Sequence, residues 1–233
     1  MNNIAHLICS KNFSGIEQHV QELTSTLTNN SDYRLYIFAD KNLETHFQNH
    51  RFQVFPNKFR LNLFALFKLQ KLIKDHEIQI LHCHGSKSIL LGRWVSWITR
   101  LELIATVHAN KKRPVATNGF RKTIIVNELL KKTYPAAEVI GNWVNPKLEI
   151  LNSSRDGNFI AVGRLEKIKR FDLLIHAWKG IDEKLEIIGD GLEKNNLLTI
   201  IKDNNLADQI TIRSEVNSQE LGNIYKRAKG LIV

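Results

Sequence analysis

Cysteine is scarce in this sequence, which has only two in 233 residues. Cys9 and Cys83 each follow an apolar run that predicts a strand. A small side chain buried in the core is the commoner role for such a cysteine, so we expect neither a disulfide nor a thiolate metal site. Redox chemistry through these thiols is therefore not expected.

Long hydrophobic runs are missing as well. No stretch reaches the roughly 18 apolar residues that a membrane-spanning helix needs. The first ten residues lack a basic start followed by a long apolar segment, so they do not resemble a signal peptide. We therefore expect a cytoplasmic protein.

Two glycine-rich phosphate-binding patterns are absent too. The sequence has neither the G-x-G-x-x-G spacing of dinucleotide-binding proteins nor the Gly-Lys-Ser/Thr of a P-loop. Internal repeats and low-complexity tracts are also missing, while 43% hydrophobic and 24% charged residues are ordinary for a globular protein. The pattern thus favours a globular protein outside those two nucleotide-binding classes.

Acidic residues are few in the first part of the chain. The net charge is +10, and residues 1–150 hold 20 Lys and Arg against 11 Asp and Glu, while residues 151–233 hold 13 against 12. Such an excess indicates an anionic partner, which could be nucleic acid, an anionic membrane surface or a phosphorylated substrate. No nucleic-acid-binding motif or array of stacking aromatic residues is present, so nucleic acid is not expected.

Apolar runs of strand length alternate with amphipathic segments of helix length along the whole chain. This alternation predicts an α/β fold of doubly wound parallel sheets covered by helices on both faces. The polar stretch at 152–158 interrupts it and predicts two domains, 1–150 and 151–233. Strands are predicted at 4–9, 34–39, 78–82, 103–108, 123–126, 138–140, 159–162, 185–188, 209–212 and 230–233. Helices are predicted at 15–28, 61–76, 86–99, 128–133, 170–178, 192–204 and 218–228.

The second predicted domain stops in the middle of its pattern. It has about three strands and the start of a fourth, and the apolar run at 231–233 has no helix after it. A strand of a parallel sheet is normally covered on both faces, so we expect that more sequence follows.

A first candidate site is the loop before the first helix, which contains Gly15. A glycine at a helix N-terminus lets a ligand approach the backbone, and the free N–H groups with the helix dipole favour an anion such as a diphosphate. Many strand-to-helix turns use one glycine for geometry alone, so this loop by itself leaves both roles open.

A second candidate is IQILHCHGS at 78–86, which predicts a strand that carries His82, His84 and Ser86 to its carboxyl end. Ligands of open α/β sheets bind outside the carboxyl ends of strands. His82 and His84 share a face as a metal pair would, but no third ligand stands at a recognisable spacing, which favours a structural or substrate-contact role over a metal. His108 ends the next predicted strand and is placed in the same way.

A third candidate is the segment 159–178, where a strand ends at Gly163 and Arg164 and a helix follows Lys169. An arginine fork and a lysine point charge suit a diphosphate that leaves in a reaction, although a solvated basic turn would look the same. Another strand leads into the turn Gly189-Asp190-Gly191, where a nucleotide could approach the backbone or the glycines could serve only the turn.

Together these motifs resemble the retaining family 4 glycosyltransferases of the GT-B fold. The loop Ser14-Gly15-Ile16-Glu17 is similar to the family's first loop but has one glycine fewer, and Thr106-Val107-His108 is similar to its Thr-x-His. The segment 142–145, Asn-Trp-Val-Asn, resembles the family's hinge with Trp143 in place of glycine. The most specific resemblance is VGRLEKIKRFDLLIHAW at 162–178, followed by LEIIGDG at 185–191.

The resemblance implies a GT-B fold of two Rossmann-like domains and a sugar transfer from a nucleotide-sugar donor without a metal ion or cofactor. Arg164, Lys169 and Gly15 would hold the donor diphosphate, and His108 would act beside the transferred sugar. The turn Gly189-Asp190-Gly191 would lie near the nucleotide, and His84 with Ser86 would contact the acceptor. The sequence has no Asp-x-Asp pair that would indicate a metal.

The acceptor implied by the basic first domain is an anionic glycan or glycolipid, as in the synthesis of lipopolysaccharide or other cell-surface polysaccharides. Basic and aromatic residues at 58–74 could form a helix on the anionic inner face of a membrane, or its apolar residues could pack in the core. The family's Glu-x7-Glu segment is expected just after residue 233. An alternative is therefore a truncated, non-catalytic fragment that acts as a binding or partner subunit.

Overall fold

The computed structural model describes residues 2–28, 32–48, 50–56, 63–142, 157–214, 216 and 218–233. The chain divides into two compact units, Met1–Asn145 and Pro146–Val233. Each unit has a parallel sheet covered by helices, so the predicted α/β class is confirmed. The boundary predicted near residue 151 lies outside the described residues.

In the described residues of the first unit, seven parallel strands form one sheet in the order β3-β2-β1-β4-β5-β6-β7. The strands are β1 Asn2–Ile8, β2 Tyr33–Ala39, β3 Arg51–Val54, β4 Ile80–His84, β5 Glu102–Val107, β6 Lys122–Ile125 and β7 Glu138–Val139. The direction in which strands are added to the sheet reverses between β1 and β4. From β1 the chain adds β2 and β3 toward one edge, and it then returns to place β4 on the other side of β1. Such a switch point is where open α/β sheets bind ligands.

Helices α1 Gly15–Leu27, α2 Leu63–Asp75 and α3 Ser86–Ser96 cover this sheet, with short 3₁₀ helices at Lys41–Phe47 and Glu128–Lys132. Apolar side chains fill both faces of the sheet. Leu7, Phe38 and Leu81 lie in one core cluster, and Ile8 and Ile37 in another. Most residues of the central strands are therefore apolar, because neither face meets water. No helix among the described residues is both long and apolar enough to cross a membrane.

The described part of the second unit has four parallel strands in the order β10-β9-β8-β11. The strands are β8 Phe159–Val162, β9 Leu185–Ile188, β10 Ile210–Arg213 and β11 Gly230–Ile232, and the helices are α4 Phe171–Ala177, α5 Lys194–Asp203 and α6 Ser218–Arg227. A 3₁₀ turn at Lys167–Lys169 precedes α4. Phe171, Ile175 and Trp178 anchor α4 in the core against the sheet, as the apolar spacing of this segment predicts.

Several details differ from the sequence prediction, of which three bear on the site or the sheet. Strand β4 ends at His84 rather than at residue 82, so His82 lies inside the sheet and not at its edge. Strand β3 was not predicted, because its four residues are half exposed and too few to show a period. The segment predicted as a helix at 128–133 forms a 3₁₀ helix instead.

Candidate functional site

A cavity of about 190 Å³ opens in the first unit where the carboxyl ends of β1, β4 and β5 meet. It therefore lies at the switch point of the sheet. Its polar lining side chains are Ser10, His84, Ser86, Lys87, Ser88, His108 and Lys111. A larger cavity of about 810 Å³, beside β6 and β7, is lined by none of the predicted site residues.

The loop from β1 to α1 is held by the buried carboxylate of Glu17. Glu17 is fully buried and accepts hydrogen bonds from the Ser14 N–H at 2.8 Å, from the Ser14 Oγ at 2.7 Å and from the Ser10 hydroxyl. The contacts with Ser14 satisfy the start of the helix, and the contact with Ser10 ties it to the end of β1. The backbone of this loop is thus fixed before any ligand binds.

Gly15 is the first residue of α1, in the loop that Glu17 holds. A Cβ atom added at Gly15 would meet no atom within 4 Å. The fold itself therefore does not require glycine here, whereas a ligand that approaches the backbone N–H groups would.

Five histidine side chains gather beneath the cavity. His6 lies on β1, His82 and His84 on β4, His108 directly after β5 and His19 on α1. The two histidines of β4 share a face because side chains of a strand alternate, and the sheet register places His6 beside His82. His6, His82, His84 and His19 are all buried, with at most 7% of their surface exposed, and His108 is partly exposed.

Three of these imidazoles form a hydrogen-bonded chain. His6 Nδ1 lies 3.0 Å from His84 Nε2, and His84 Nδ1 lies 3.4 Å from His108 Nε2. The other nitrogen of His6, Nε2, is buried and has no hydrogen-bond partner among the residues that the structure describes. A buried N–H without a partner is rare, so the favoured tautomer of His6 has its proton on Nδ1. Each imidazole then donates to the next, and His108 has its proton on Nδ1.

Burial keeps this cluster uncharged. Loss of solvation lowers the pKa of His6 to about 3 and that of His108 to about 4, with smaller contributions from neighbouring histidines. The same cause lowers the pKa of His82 and His84 well below the ordinary value, and that of His19 as well. Near neutral pH the histidines therefore act as neutral donors and acceptors.

The charge of the cavity comes from lysine. Lys87 and Lys111 line it, and no carboxylate does so among the described residues. Lys87 and Ser86 also lie in the first turn of α3, where the helix dipole favours an anion. The cavity is therefore suited to a polar ligand with negative charge.

The structure brings Ser86, His84 and His108 together at one cavity and places Gly15 next to it, since Ile16 also lines the cavity. His84 is only 2% exposed, and both of its ring nitrogens face other imidazoles. This burial does not favour the acceptor contact predicted for His84, which stays a prediction. Of the predicted hinge at 142–145, only Asn142 is described, and it hydrogen-bonds to His19.

In the second unit, the two predicted motifs lie side by side. The backbone of the loop after β8 pairs with the turn after β9, through Gly163 N–H to Ile188 O at 3.0 Å and Leu165 N–H to Asp190 O at 2.8 Å. A Cβ atom at Gly189 would overlap the Gly163 carbonyl oxygen. This packing alone accounts for the glycine, so its predicted nearness to the nucleotide stays untested.

The two predicted diphosphate ligands of this unit are exposed. The Arg164 side chain is 69% exposed and pairs with Glu166, Nη1 to Oε1 at 2.7 Å. Lys169 is exposed as well, and its alkyl chain lies close to Gly163. Both cations are thus available at the carboxyl end of β8.

Sequence analysis missed several residues of the site in the first unit. His6 and His19 belong to the histidine cluster, and Ser10 lines the cavity. The only sequence signal for His6 is a polar residue inside an apolar strand, which many core histidines share. No spacing reveals His19, because the fold and not the chain order brings it beside His84 and His108.

Comparison with known proteins shows similarity over both units. A model described as Glycosyltransferase Family 4 matches residues 13–140, and one described as Glycosyl transferases group 1 matches residues 148–233. An uncharacterized glycosyltransferase of Methanocaldococcus jannaschii is 28% identical over 94% of this chain and 68% of its own length. The amylovoran biosynthesis glycosyltransferase AmsD of Erwinia amylovora is 24% identical over 94% of this chain and 70% of its own length.

Solved structures show the same fold. HepE of Anabaena, solved in complex with UDP and glucose, aligns over 99% of this chain and 73% of its own at a TM-score of 0.80 and 16% identity. The lipopolysaccharide outer core galactosyltransferase WaaB aligns over 99% of this chain and 73% of its own at a TM-score of 0.73 and 15% identity. The predicted GT-B type of fold is thereby confirmed. Because the first family model covers more than half of the sequence, the chain belongs to Glycosyltransferase Family 4.

Proposed function

We propose that this glycosyltransferase moves a sugar from a nucleotide-sugar donor to an anionic glycan or glycolipid acceptor, with retention of configuration and without a metal ion. The observation that carries the proposal is the cavity of the first unit, where the neutral donor of His108 lies beside two lysines and no carboxylate of the described residues is part of the lining. AmsD and WaaB are named for polysaccharide and lipopolysaccharide synthesis, and HepE is solved with UDP and glucose, which supports this class of reaction.

The leaving group of such a transfer is the nucleoside diphosphate. The bond from the anomeric carbon to the diphosphate oxygen breaks while a bond from the anomeric carbon to the acceptor hydroxyl oxygen forms. The electron pair of the broken bond leaves with the diphosphate, where negative charge grows, and the proton of the hydroxyl passes to a leaving phosphate oxygen or to water. Arg164 and Lys169 would stabilise that charge by charge-assisted hydrogen bonds, and the N–H groups at Gly15 would add to it. These groups do the work that a bound cation does in other enzymes.

The sugar itself would be oriented by His108. Its imidazole is neutral because burial lowers its pKa to about 4. The chain through His6 and His84 leaves the proton on Nδ1, so His108 would donate to a sugar hydroxyl. Ser86, half-buried in the lining of the cavity, would contact the acceptor.

We further propose that α2 lies on the anionic inner face of a membrane, where a glycolipid acceptor would be found. Phe64 and Phe67 are 66% and 65% exposed, and Lys71 and Lys74 are exposed on the same helix. Spacings of three and four residues place them along one side of the helix. Core packing, the alternative for this segment, holds for Leu72, which is buried, but not for Phe67.

Vesicle sedimentation tests the membrane proposal. The chain should sediment with vesicles that contain phosphatidylglycerol and remain in solution with pure phosphatidylcholine. Phe64→Ser with Phe67→Ser should abolish this binding, while Leu129→Ser, which removes another exposed apolar side chain, should leave it unchanged. Equal binding by the double variant and the unchanged chain would contradict the proposal.

Binding of the donor tests the main proposal. Calorimetric titration with UDP and with UDP-sugars should show binding that weakens about tenfold or more in Arg164→Ala and in Lys169→Ala, because each removes a charge-assisted hydrogen bond. Lys179→Ala removes an exposed lysine after α4 and is the matched control. If both variants bind the nucleotide as tightly as the control, the diphosphate is not held by these residues.

A further inference from the structure

We propose that His19, His84 and His108 form a binding site for a divalent transition-metal ion, of the zinc class, at the floor of the cavity in the first unit. One ring nitrogen from each of the three lies within 4.8 Å of the other two. The three residues come from α1, from β4 and from the end of β5, so they surround a point and do not lie along one strand. The site shares His108 with the proposed sugar contact, but binding of the ion does not rest on the proposed transfer reaction and is tested without nucleotide or sugar.

The spacing of two of the nitrogens matches that of metal ligands. His84 Nδ1 and His108 Nε2 are 3.4 Å apart. Two nitrogens of a tetrahedral zinc site, with bonds of about 2.0–2.1 Å, lie about 3.3–3.4 Å from each other. An ion would therefore fit this pair of nitrogens, and one ring nitrogen from each of the three histidines lies within 4.8 Å of the other two.

Two of the three ligands, His84 and His19, have a partner behind them that would hold the ring in place. His6 Nδ1 lies 3.0 Å from His84 Nε2, which leaves His84 Nδ1 directed at His108. His19 hydrogen-bonds to Asn142 and lies near the carboxylate of Glu22. Metal-binding histidines commonly have such outer partners on the second ring nitrogen, and these partners contribute to metal affinity.

The arrangement leaves room for a fourth ligand. His84 and His108 line the cavity of about 190 Å³, and His108 is partly exposed, so water reaches the site. Three protein nitrogens with an open fourth position are the arrangement of catalytic-type zinc sites, whose fourth ligand is water or substrate. Neutral imidazoles without carboxylates favour zinc, nickel or copper over magnesium or calcium.

A second trio, His6, His82 and His84, also has nitrogens within 4.8 Å of one another. Its side chains are at most 7% exposed, and His82 Nε2 is already bonded to Thr106 Oγ1 at 2.7 Å. An ion there would be buried with no carboxylate in the trio to balance its charge, which is costly. The trio at the cavity is therefore the better site.

Metal binding has one internal cost. With the ion on His84 Nδ1, the proton of His84 moves to Nε2, and this N–H donates to His6 Nδ1. His6 then carries its proton on Nε2, which has no partner in the described structure. One unpaired donor is a small loss against three nitrogen–metal bonds. An ion on His108 Nε2 leaves the proton of His108 on Nδ1, the N–H proposed to contact the sugar.

The test uses the whole 233-residue chain, freed of metal by a chelator and dialysed. Cobalt(II) is added while visible absorption is recorded, and zinc(II) is then titrated by calorimetry. We expect one ion per chain and the intense visible bands of four-coordinate cobalt. His19→Asn and His108→Asn should each lower the affinity for zinc by on the order of a hundredfold. Replacing a residue that only supports a metal ligand lowers metal affinity by about 10–100-fold, and loss of a ligand itself should cost at least as much.

Two further variants make the result specific. His176→Asn removes an exposed histidine of the second unit and should leave metal binding unchanged. His82→Asn should also keep the site, because it removes a ligand of the inner trio only. Circular dichroism and thermal melting of each metal-free variant show whether it folds. If the more buried His19→Asn variant does not fold, the result for His108→Asn alone tests the proposal.

Three results would overturn the proposal. The first is that the unchanged chain binds neither cobalt nor zinc with one-to-one stoichiometry. The second is that folded His108→Asn binds zinc as tightly as the unchanged chain. The third is that His82→Asn abolishes binding while His19→Asn preserves it, which would place the ion in the inner trio.

Discussion

His84 Nδ1 lies 3.4 Å from His108 Nε2, in a chain that begins at His6. The contact links His84, which is buried in the sheet, to His108, which is partly exposed at the cavity. It also determines which nitrogen of His108 carries the proton, because His84 can donate only while it accepts from His6. The tautomer of the proposed sugar-binding residue is thus decided by two buried residues, His6 and His84.

Replacement of His108 tests its proposed hydrogen bond to the sugar. His108→Ala should lower kcat for sugar transfer by on the order of a hundredfold, because a donor positioned at the reacting group is lost. His108→Asn can still offer an N–H and should retain more of the activity. Steady-state kinetics with a nucleotide-sugar donor provide the measurement. Loss of less than twofold in the alanine variant would remove His108 from the reaction.

Gly15→Ala tests whether a ligand approaches the first helix. Because an added Cβ meets no atom within 4 Å, the free energy of unfolding should not fall. The affinity for UDP should decrease about tenfold if the diphosphate contacts this backbone, since a methyl group then stands in its way. Calorimetric titration and urea unfolding measure the two effects separately. Unchanged UDP affinity would show that the glycine serves only the turn.

Gly189→Ala is the contrasting case. Its Cβ would overlap the Gly163 carbonyl oxygen, so the variant should unfold more easily whether or not a nucleotide binds nearby. We expect a loss of about 1–3 kcal/mol in the free energy of unfolding, as for other overpacked positions. Urea denaturation followed by fluorescence checks this value. A stable variant would mean that the turn after β9 can move away from the loop after β8.

Glu17→Gln tests the buried carboxylate of the first loop. The substitution keeps the shape of the side chain but turns one accepting oxygen into an NH₂ group, which faces donors from Ser10 and Ser14. We expect a loss of about 1–3 kcal/mol in the free energy of unfolding. Glu44→Gln, at an exposed glutamate, is the control and should change stability by less than about 0.5 kcal/mol. Equal stabilities would show that the charge of Glu17 contributes nothing.

The Cys9 thiol gives a pH-dependent prediction. Burial raises its pKa to about 11, against 9.0 for an ordinary thiol, so the folded protein keeps it protonated at neutral pH. In a Cys83→Ala variant, the rate of alkylation by iodoacetamide should rise tenfold per pH unit between pH 8 and 10, without levelling near pH 9. Because the folded pKa is raised, this thiol favours the folded state below pH 9 and loses that contribution as pH rises toward 11. A plateau near pH 9, as in the chain unfolded by urea, would contradict the assignment.

Much of the fold could be predicted from the sequence. The strands at 159–162 and 185–188 were predicted with the bounds they have, because uninterrupted apolar runs between polar turns are typical of parallel strands covered on both faces. The family was also identified from the sequence, on the segments 162–178 and 185–191. Strand β3 escaped prediction because an edge strand of four residues shows no apolar run.

Less of the site could be predicted. The sequence indicates that polar residues follow β4 and β5, and the cavity lined by His84, Ser86 and His108 lies there. The sequence shows no third metal ligand at a recognisable spacing from His82 and His84. The fold supplies His19 from α1 and His6 from β1 instead, and neither has a diagnostic spacing. That the transfer reaction itself proceeds without a metal ion stays a prediction.

The sequence by itself determined the alternation of strands and helices, the excess of positive charge in the first 150 residues and the family. These properties depend on local periodicity and on residue type, which can be read from the sequence without knowledge of the fold. Tertiary structure alone decided that five histidines from four segments meet beneath one cavity, that burial keeps them neutral, and that one of them offers a donor. Those properties depend on contacts between residues as many as 89 positions apart, such as His19 and His108, which only the fold brings together.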